Sequence, residues 1–283
     1  MTAVPSPPVS THRIAVKRHS VAVRLTHWLN VLCLTFLIAS GLQIFNAHPR
    51  LYLGQYGADH ETPVVEIASK RVNDALRGEL HVGGFRIDTT GFLGASTEDG
   101  SRVARAFPTW LTLPSYHDLG AGRRLHFTFA WLLVINGLLY LAYGLWSRHF
   151  RRDMLPTRDQ LSPKHLWQEV RNHARLRFAK GDEARRYNGL QKLTYVVVIF
   201  GLLPLMVASG LAMSPGMDAA FPWLPELLGG RATARTVHFV TAFSLVAFVA
   251  VHLVMVAVSG VWNNLRSMVT GRYAIDVDGG TQR

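Results

Sequence analysis

Four histidines lie inside strongly apolar stretches of this chain: His27, His126, His238 and His252. A neutral imidazole is above all a metal ligand or a proton carrier. The last two share one stretch, Thr236 to Gly260, which carries no Asp, Glu, Lys or Arg. They are 14 residues apart (252 − 238). On a helix this is only about 40° short of four turns, so both rings point the same way, roughly 21 Å apart along the axis. One helix face offering two imidazoles at two depths points to two stacked metal centres.

The elements that must position these rings are membrane helices. Of 283 residues, 49% are hydrophobic and 17% charged, too apolar and too unevenly spread for an ordinary soluble domain. Four stretches reach the roughly 20 residues that cross a bilayer: about 21–46, 125–146, 190–212 and 236–260. Pro204 is expected to kink the third. The net charge of +12 would suggest nucleic acid in a soluble protein. Here the basic residues cluster beside apolar spans and read as topology. The single cysteine, Cys33, excludes an internal disulfide, an all-thiolate zinc site and covalent haem attachment through a C-x-x-C-H motif. The first twenty residues lack an apolar core, so no cleavable signal is expected.

Between the spans, residues 1–18 read as a disordered cytoplasmic tail and 266–283 as a second cytoplasmic tail, flanking a membrane domain over 19–265. Residues 47–122 form a long polar, glycine-rich insertion. Within it, Leu80 to Gly94 alternates loosely around Gly83-Gly84, and a short hairpin is expected. Pro108 and Pro114 bracket an interfacial element carrying Trp110. The loop 148–190 is strongly basic. By the positive-inside rule both termini and this loop are cytoplasmic, and 47–122 and 213–235 lie outside. The echo of Ala39-Ser40-Gly41-Leu42 in Ala208-Ser209-Gly210-Leu211 is read as small residues permitting close helix packing, with no functional weight.

This topology sorts the histidines into two levels. His126 and His238 fall at outer depth, His27 and His252 at inner depth. Zinc would need three or four ligands, and no thiolate or carboxylate accompanies either pair. Copper would want a Cys or Met that neither level supplies in an obvious way. Haem iron needs two axial ligands, because the porphyrin provides the other four. Arg24, Arg123 and Arg235 each precede a histidine by three residues, on the same helix face and one turn nearer the headgroups, where a haem propionate would emerge. Arginines at such ends also anchor any membrane helix by snorkelling. His12, His19, His48, His60, His81, His117, His149, His165 and His173 lie in tails, loops or helix ends, and most are expected to be solvated; His19, near the membrane, stands apart from them.

Several runs carry a family resemblance. They are Arg18-His19-Ser20, Arg24-Leu25-Thr26-His27-Trp28-Leu29-Asn30, Ser40-Gly41-Leu42-Gln43-Ile44-Phe45-Asn46, Gly122-Arg123-Arg124-Leu125-His126-Phe127, Tyr187-Asn188-Gly189-Leu190-Gln191-Lys192 and Ser209-Gly210-Leu211-Ala212-Met213-Ser214-Pro215. They resemble bacterial cytochrome b561-type subunits of the thiosulfate reductase cytochrome b group, a relationship shared with formate dehydrogenase gamma and nickel–iron hydrogenase cytochrome b subunits. The resemblance covers all four spans. It implies an all-α membrane protein, a four-helix bundle with two b-type haems, in the bacterial inner membrane. The long extracytoplasmic segment between helices 1 and 2 is not part of that superfamily's minimum and is read as a partner-docking feature. The resemblance also implies that the fourth helix supplies one ligand to each haem, which maps onto His27, His126, His238 and His252. The implied role is an electron-transfer subunit linking the quinone pool to a peripheral, molybdenum-type oxidoreductase in a respiratory chain.

An inner quinone site is expected among Asn30, Tyr187, Asn188, Gln191 and Lys192, polar residues near the inner haem level that serve equally as a helix cap and anchor. Three other readings stay open: a stand-alone superoxide:quinone oxidoreductase using Arg123, Arg124 and Arg235 as the outer approach, a hydrogenase cytochrome b subunit, and a haem-free anchor or transporter with the histidines as proton relays.

Overall fold

The computed structural model describes residues 11–57, 61–175 and 189–278. In chain order, strand β1 (Thr11–Lys17) leads into helix α1 (Val21–Phe45). Six strands follow: β2 (Arg50–Leu51), β3 (Val65–Val72), β4 (Ala75–Val82), β5 (Phe85–Asp88), β6 (Gly94–Glu98) and β7 (Ser101–Arg105). A 3-10 turn at Thr109–Leu111 precedes α2 (Leu119–Trp146), and a π-helical turn at Phe150–Met154 precedes α3 (Pro163–Ala174). Then come α4 (Gly189–Val197), a second π-helical turn (Val198–Leu202), α5 (Leu203–Ala212), α6 (Pro215–Ala220) and α7 (Trp223–Leu227). Helices α8 (Arg231–Val258) and α9 (Val261–Thr270) and strand β8 (Arg272–Asp278) complete the chain.

Four helical stretches are long and apolar enough to span a membrane: α1, α2, α4 through α5, and α8. They match the four expected spans, with α2 and α8 starting earlier than their apolar runs. Asp118 explains the first: its side-chain Oδ1 accepts the Ala121 amide at 2.8 Å and caps α2. Gly229 and Gly230, at φ +81° and +106°, end the preceding loop and let α8 begin at Arg231. Pro204 has no amide hydrogen to donate, and the helix absorbs the break as the π-helical turn just before it.

The chain divides into two compact units. The first comprises residues 1–27, 139–199 and 247–283. In it β1 pairs antiparallel with β8 in register from Thr11↔Asp278 to Lys17↔Arg272. This corrects the disordered-tail expectation for residues 11–17; the cause is a pairing between segments far apart in sequence. Gly260, at φ +111°, separates α8 from α9, which then leads into β8. Asn263 ties that turn together, donating to the Ala274 carbonyl and accepting the Ala274 amide.

In the same unit a buried carboxylate caps the third span. Glu169 on α3 accepts the amides of Gly189 at 3.0 Å and Leu190 at 2.6 Å, and His165 Nε2 lies 2.8 Å from it. A carboxylate at a helix N-terminus satisfies donors that have no intrahelical partner and meets the positive end of the dipole. Glu169→Ala is expected to cost about 1–3 kcal/mol. Thermal unfolding followed by circular dichroism should show the loss, and Glu169→Gln, which keeps an acceptor, should recover part of it.

The second unit comprises residues 28–138 and 200–246. The insertion between α1 and α2 is a small β structure, so the all-α expectation is corrected to mostly helical. Strands β2-β3-β4-β5 form one antiparallel sheet, and β6 pairs with β7. The expected hairpin around Gly83-Gly84 is present as β4–β5, with Val82 opposite Phe85. Two further hairpins turn on Asn73-Asp74 and on Asp99-Gly100, all at positive φ. Such left-handed pairs match the twist of two-residue hairpins. Phe45 at the end of α1 packs with Leu51, Ile67, Ala106 and Phe107, and this apolar cluster seats the insertion on the helix. Arg105 lies buried beside it, donating to Gln43 Oε1 at 2.5 Å and Thr112 Oγ1 at 2.8 Å. Burial lowers its pKa, yet guanidinium stays charged. Trp110 is exposed, on the 3-10 turn between the two prolines.

Candidate functional site

The structure brings together the two histidine pairs expected from the sequence. In the first unit His27 of α1 faces His252 of α8, with ring centroids 6.4 Å apart. In the second unit His126 of α2 faces His238 of α8, at 6.3 Å. These are too far apart for hydrogen bonding between rings, and their size is informative. A metal–imidazole nitrogen bond is about 2.0–2.1 Å, and with a ring nitrogen roughly 1.1 Å from its centroid, two rings gripping one ion from opposite sides stand about 6.3 Å apart.

The donor set also fits an ion that brings its own equatorial ligands. Among the described residues no group of three or more His, Cys, Asp or Glu side chains could hold a metal ion. Two imidazoles alone suit a haem iron.

The surroundings of the His126–His238 pair are well defined. His126 Nδ1 lies 3.1 Å from Ser40 Oγ. His238 Nδ1 lies 3.2 Å from Ser209 Oγ and 3.1 Å from the Met206 carbonyl. Sequence reading passed over Ser40 and Ser209; the available signal was the four-residue echo that contains both. At the other pair, Phe248 stacks on His252 at 5.9 Å.

The three arginines fare differently. Arg24 donates through Nη1 to the Val269 carbonyl, while its Nε is buried with no hydrogen-bond partner among the described residues. An orphaned guanidinium N–H three residues before His27 suits an anionic group such as a haem propionate. Arg123 is exposed, with its guanidinium 5.7 Å from the Phe127 ring centroid. Arg235 donates to the His48 carbonyl at 2.5 Å and sits over the Phe45 ring.

Of the expected quinone-site residues, Tyr187 and Asn188 lie outside the described residues. Asn30 Oδ1 accepts the Asn136 side-chain amide at 2.7 Å. Gln191 is half-buried on α4, and Lys192 Nζ reaches the Leu155 carbonyl at 3.4 Å.

His19, set apart from the other loop and tail histidines by its place near the membrane, is largely shielded from solvent. It lines an open cavity of about 360 Å³ with Lys17, Arg18, Ser20, Tyr143, Ser147, His149 and Arg152. Burial, and then the neighbouring Arg18, push its pKa down to about 4, so it is neutral at pH 7. His81 lies within 3.3 Å of Glu66 and 2.9 Å of Glu79, and His165 pairs with Glu169.

Comparison with known proteins settles the class. The profile of the prokaryotic cytochrome b561 family matches residues 18–271. The chain belongs to that family. It is thus a cytochrome b561-type protein of the membrane, and b-type haem is the group its histidines fit. A relative from Azospira oryzae, called "Putative protein-methionine-sulfoxide reductase subunit YedZ1", is 28% identical over 253 residues, covering 89% of this chain and 96% of that protein. No solved structure matches the chain.

Proposed function

We propose that this cytochrome b561-type protein is a two-haem electron conduit between the quinone pool and a peripheral oxidoreductase. The observation that carries the reading is the pair of imidazole couples at 6.3 and 6.4 Å, each contributed in half by α8. His27 and His252 would hold one haem, and His126 and His238 the other. The group held there would supply one-electron exchange. The chain's own part is to clamp the group, to meet its propionates with Arg24, Arg123 and Arg235, and to exclude water with Leu, Val and Phe side chains.

The protein is placed in the bacterial inner membrane with both termini cytoplasmic, following the distribution of Lys and Arg. The β insertion of residues 47–122 then faces outward as the docking feature for the partner. That partner is an extracytoplasmic oxidoreductase, of the molybdopterin-dependent type in the sequence reading. The relative's name points to methionine sulfoxide as a substrate for it. The quinone would sit near Gln191 and Lys192.

Quinol added to the purified protein should reduce its haem, read as a b-type difference spectrum. Gln191→Ala and Lys192→Ala should slow that reduction about tenfold or more, within the range that mispositioning of a reactant causes, while haem content stays normal. A colourless preparation, or haem that no quinol reduces, would sink the reading. The exposed Arg123 and Arg124 favour one second reading, superoxide:quinone oxidoreduction, because they present positive charge one turn from His126. Superoxide-driven quinone reduction by the isolated subunit would decide for it.

A further inference from the structure

We infer that the repeated Ser-Gly dipeptides, Ser40-Gly41 on α1 and Ser209-Gly210 on α5, are matched clasps that position His126 and His238 and tune the haem these hold. This rests on the reading of those two histidines as axial ligands.

The hydrogen-bond directions settle the tautomer. Ser40 Oγ lies 2.6 Å from the Phe36 carbonyl, four residues back on its own helix, and Ser209 Oγ lies 2.6 Å from the Leu205 carbonyl. Each hydroxyl has one proton, and the carbonyl takes it. What each oxygen offers the nearby imidazole is therefore a lone pair. A second neighbour of His238 Nδ1 is the Met206 carbonyl at 3.1 Å, and a carbonyl only accepts. Both Nδ1 atoms must carry the proton, which leaves both Nε2 lone pairs bare for iron.

The correspondence is residue for residue. The carbonyl three residues back also lies near each serine oxygen: Leu37 at 3.3 Å from Ser40 Oγ, and Met206 at 3.2 Å from Ser209 Oγ. Both serines are fully buried. The following glycine completes each clasp: a Cβ on Gly41 would stand 3.3 Å from His126 Cε1, and a Cβ on Gly210 would stand 3.2 Å from His238 Cε1. Each ring edge thus lies against bare main chain, in space that a side chain would contest. Helix packing alone explains a small residue at Gly41 and Gly210. It does not explain a hydroxyl aimed at Nδ1 in both copies.

A hydrogen bond accepted from Nδ1–H raises the basicity of Nε2 and fixes the ring's rotation. The clasps therefore favour ferric iron and hold this haem's potential down. Redox titration and low-temperature electron paramagnetic resonance of the full-length protein in detergent test this. Ser40→Ala and Ser209→Ala should each shift that haem's oxidised–reduced equilibrium toward the reduced form by about threefold, and the double variant by about tenfold, which is about 59 mV for one electron. The other haem should not move. Should the alanine variants lose haem, Gly41→Ala and Gly210→Ala should change the low-field resonance of the same haem, because the new methyl must push the ring. An unmoved potential in the double variant with both haems retained, or an unmoved resonance in the glycine variants, would overturn the clasps. Retention of both haems by His126→Ala would instead overturn the ligand reading beneath them.

Discussion

Replacing His126 or His238 by alanine is expected to remove one haem of two, and replacing His27 or His252 to remove the other. The reason is geometric. Each couple spans 6.3 or 6.4 Å between ring centroids, and only one member of each couple lies on α8. A single imidazole leaves the iron with one protein bond where it had two. Haem affinity should then fall by at least the 10–100-fold that loss of a mere outer-shell partner costs a metal site. The effects within a couple should not add: His126→Ala with His238→Ala should lose no more haem than either alone, because both remove the same group. Haem per chain, measured on purified wild type and the four single variants, checks this. Loss patterns that cross the couples, such as His126→Ala and His252→Ala removing the same haem, would contradict the pairing.

The couples were legible in the sequence because a helix has a fixed period. His238 and His252 share a face by spacing alone, and the level of their partners follows from counting spans. The clasps were not legible. Ser40 and Ser209 stand out in the repeated Ala-Ser-Gly-Leu, but nothing local tells which ring on another helix a buried hydroxyl will meet. The β insertion was half legible. Gly83-Gly84 gave one hairpin, whereas Asn73-Asp74 and Asp99-Gly100 are equally good turn signals inside strands too polar to alternate clearly. The strand pair β1–β8 was illegible, because its register joins the two ends of the chain and neither segment has a turn to announce the other.

The second large effect is expected where the insertion's two β layers meet. Gly78 on β4 and Gly94 on β6 approach main chain to main chain. A Cβ on Gly78 would stand 1.9 Å from the Leu93 carbonyl oxygen and 2.7 Å from the Ala95 amide nitrogen. A Cβ on Gly94 would stand 2.3 Å from the Ala68 carbonyl oxygen, and Gly94 also holds φ at +76°. The colliding atoms are backbone and cannot swing aside as a long side chain would. The Leu93 carbonyl is also committed, accepting from Thr89 Oγ1 at 3.0 Å, and the glycines' own groups are bonded: Thr89 donates its amide to the Gly78 carbonyl at 2.8 Å, Gly78 donates its own to Thr90 Oγ1 at 3.0 Å, and Ser69 Oγ donates to the Gly94 carbonyl. Gly78→Val must therefore part β4 from β6 and break those bonds, at a cost of about 3 kcal/mol or more. Limited proteolysis should show residues 61–118 cut at least tenfold faster in Gly78→Val than in wild type. Gly84→Val is the control, since a Cβ there meets nothing within 4 Å and should leave the cutting rate near that of wild type. If the insertion is the docking feature, Gly78→Val should also lose the partner while its haem spectrum stays intact.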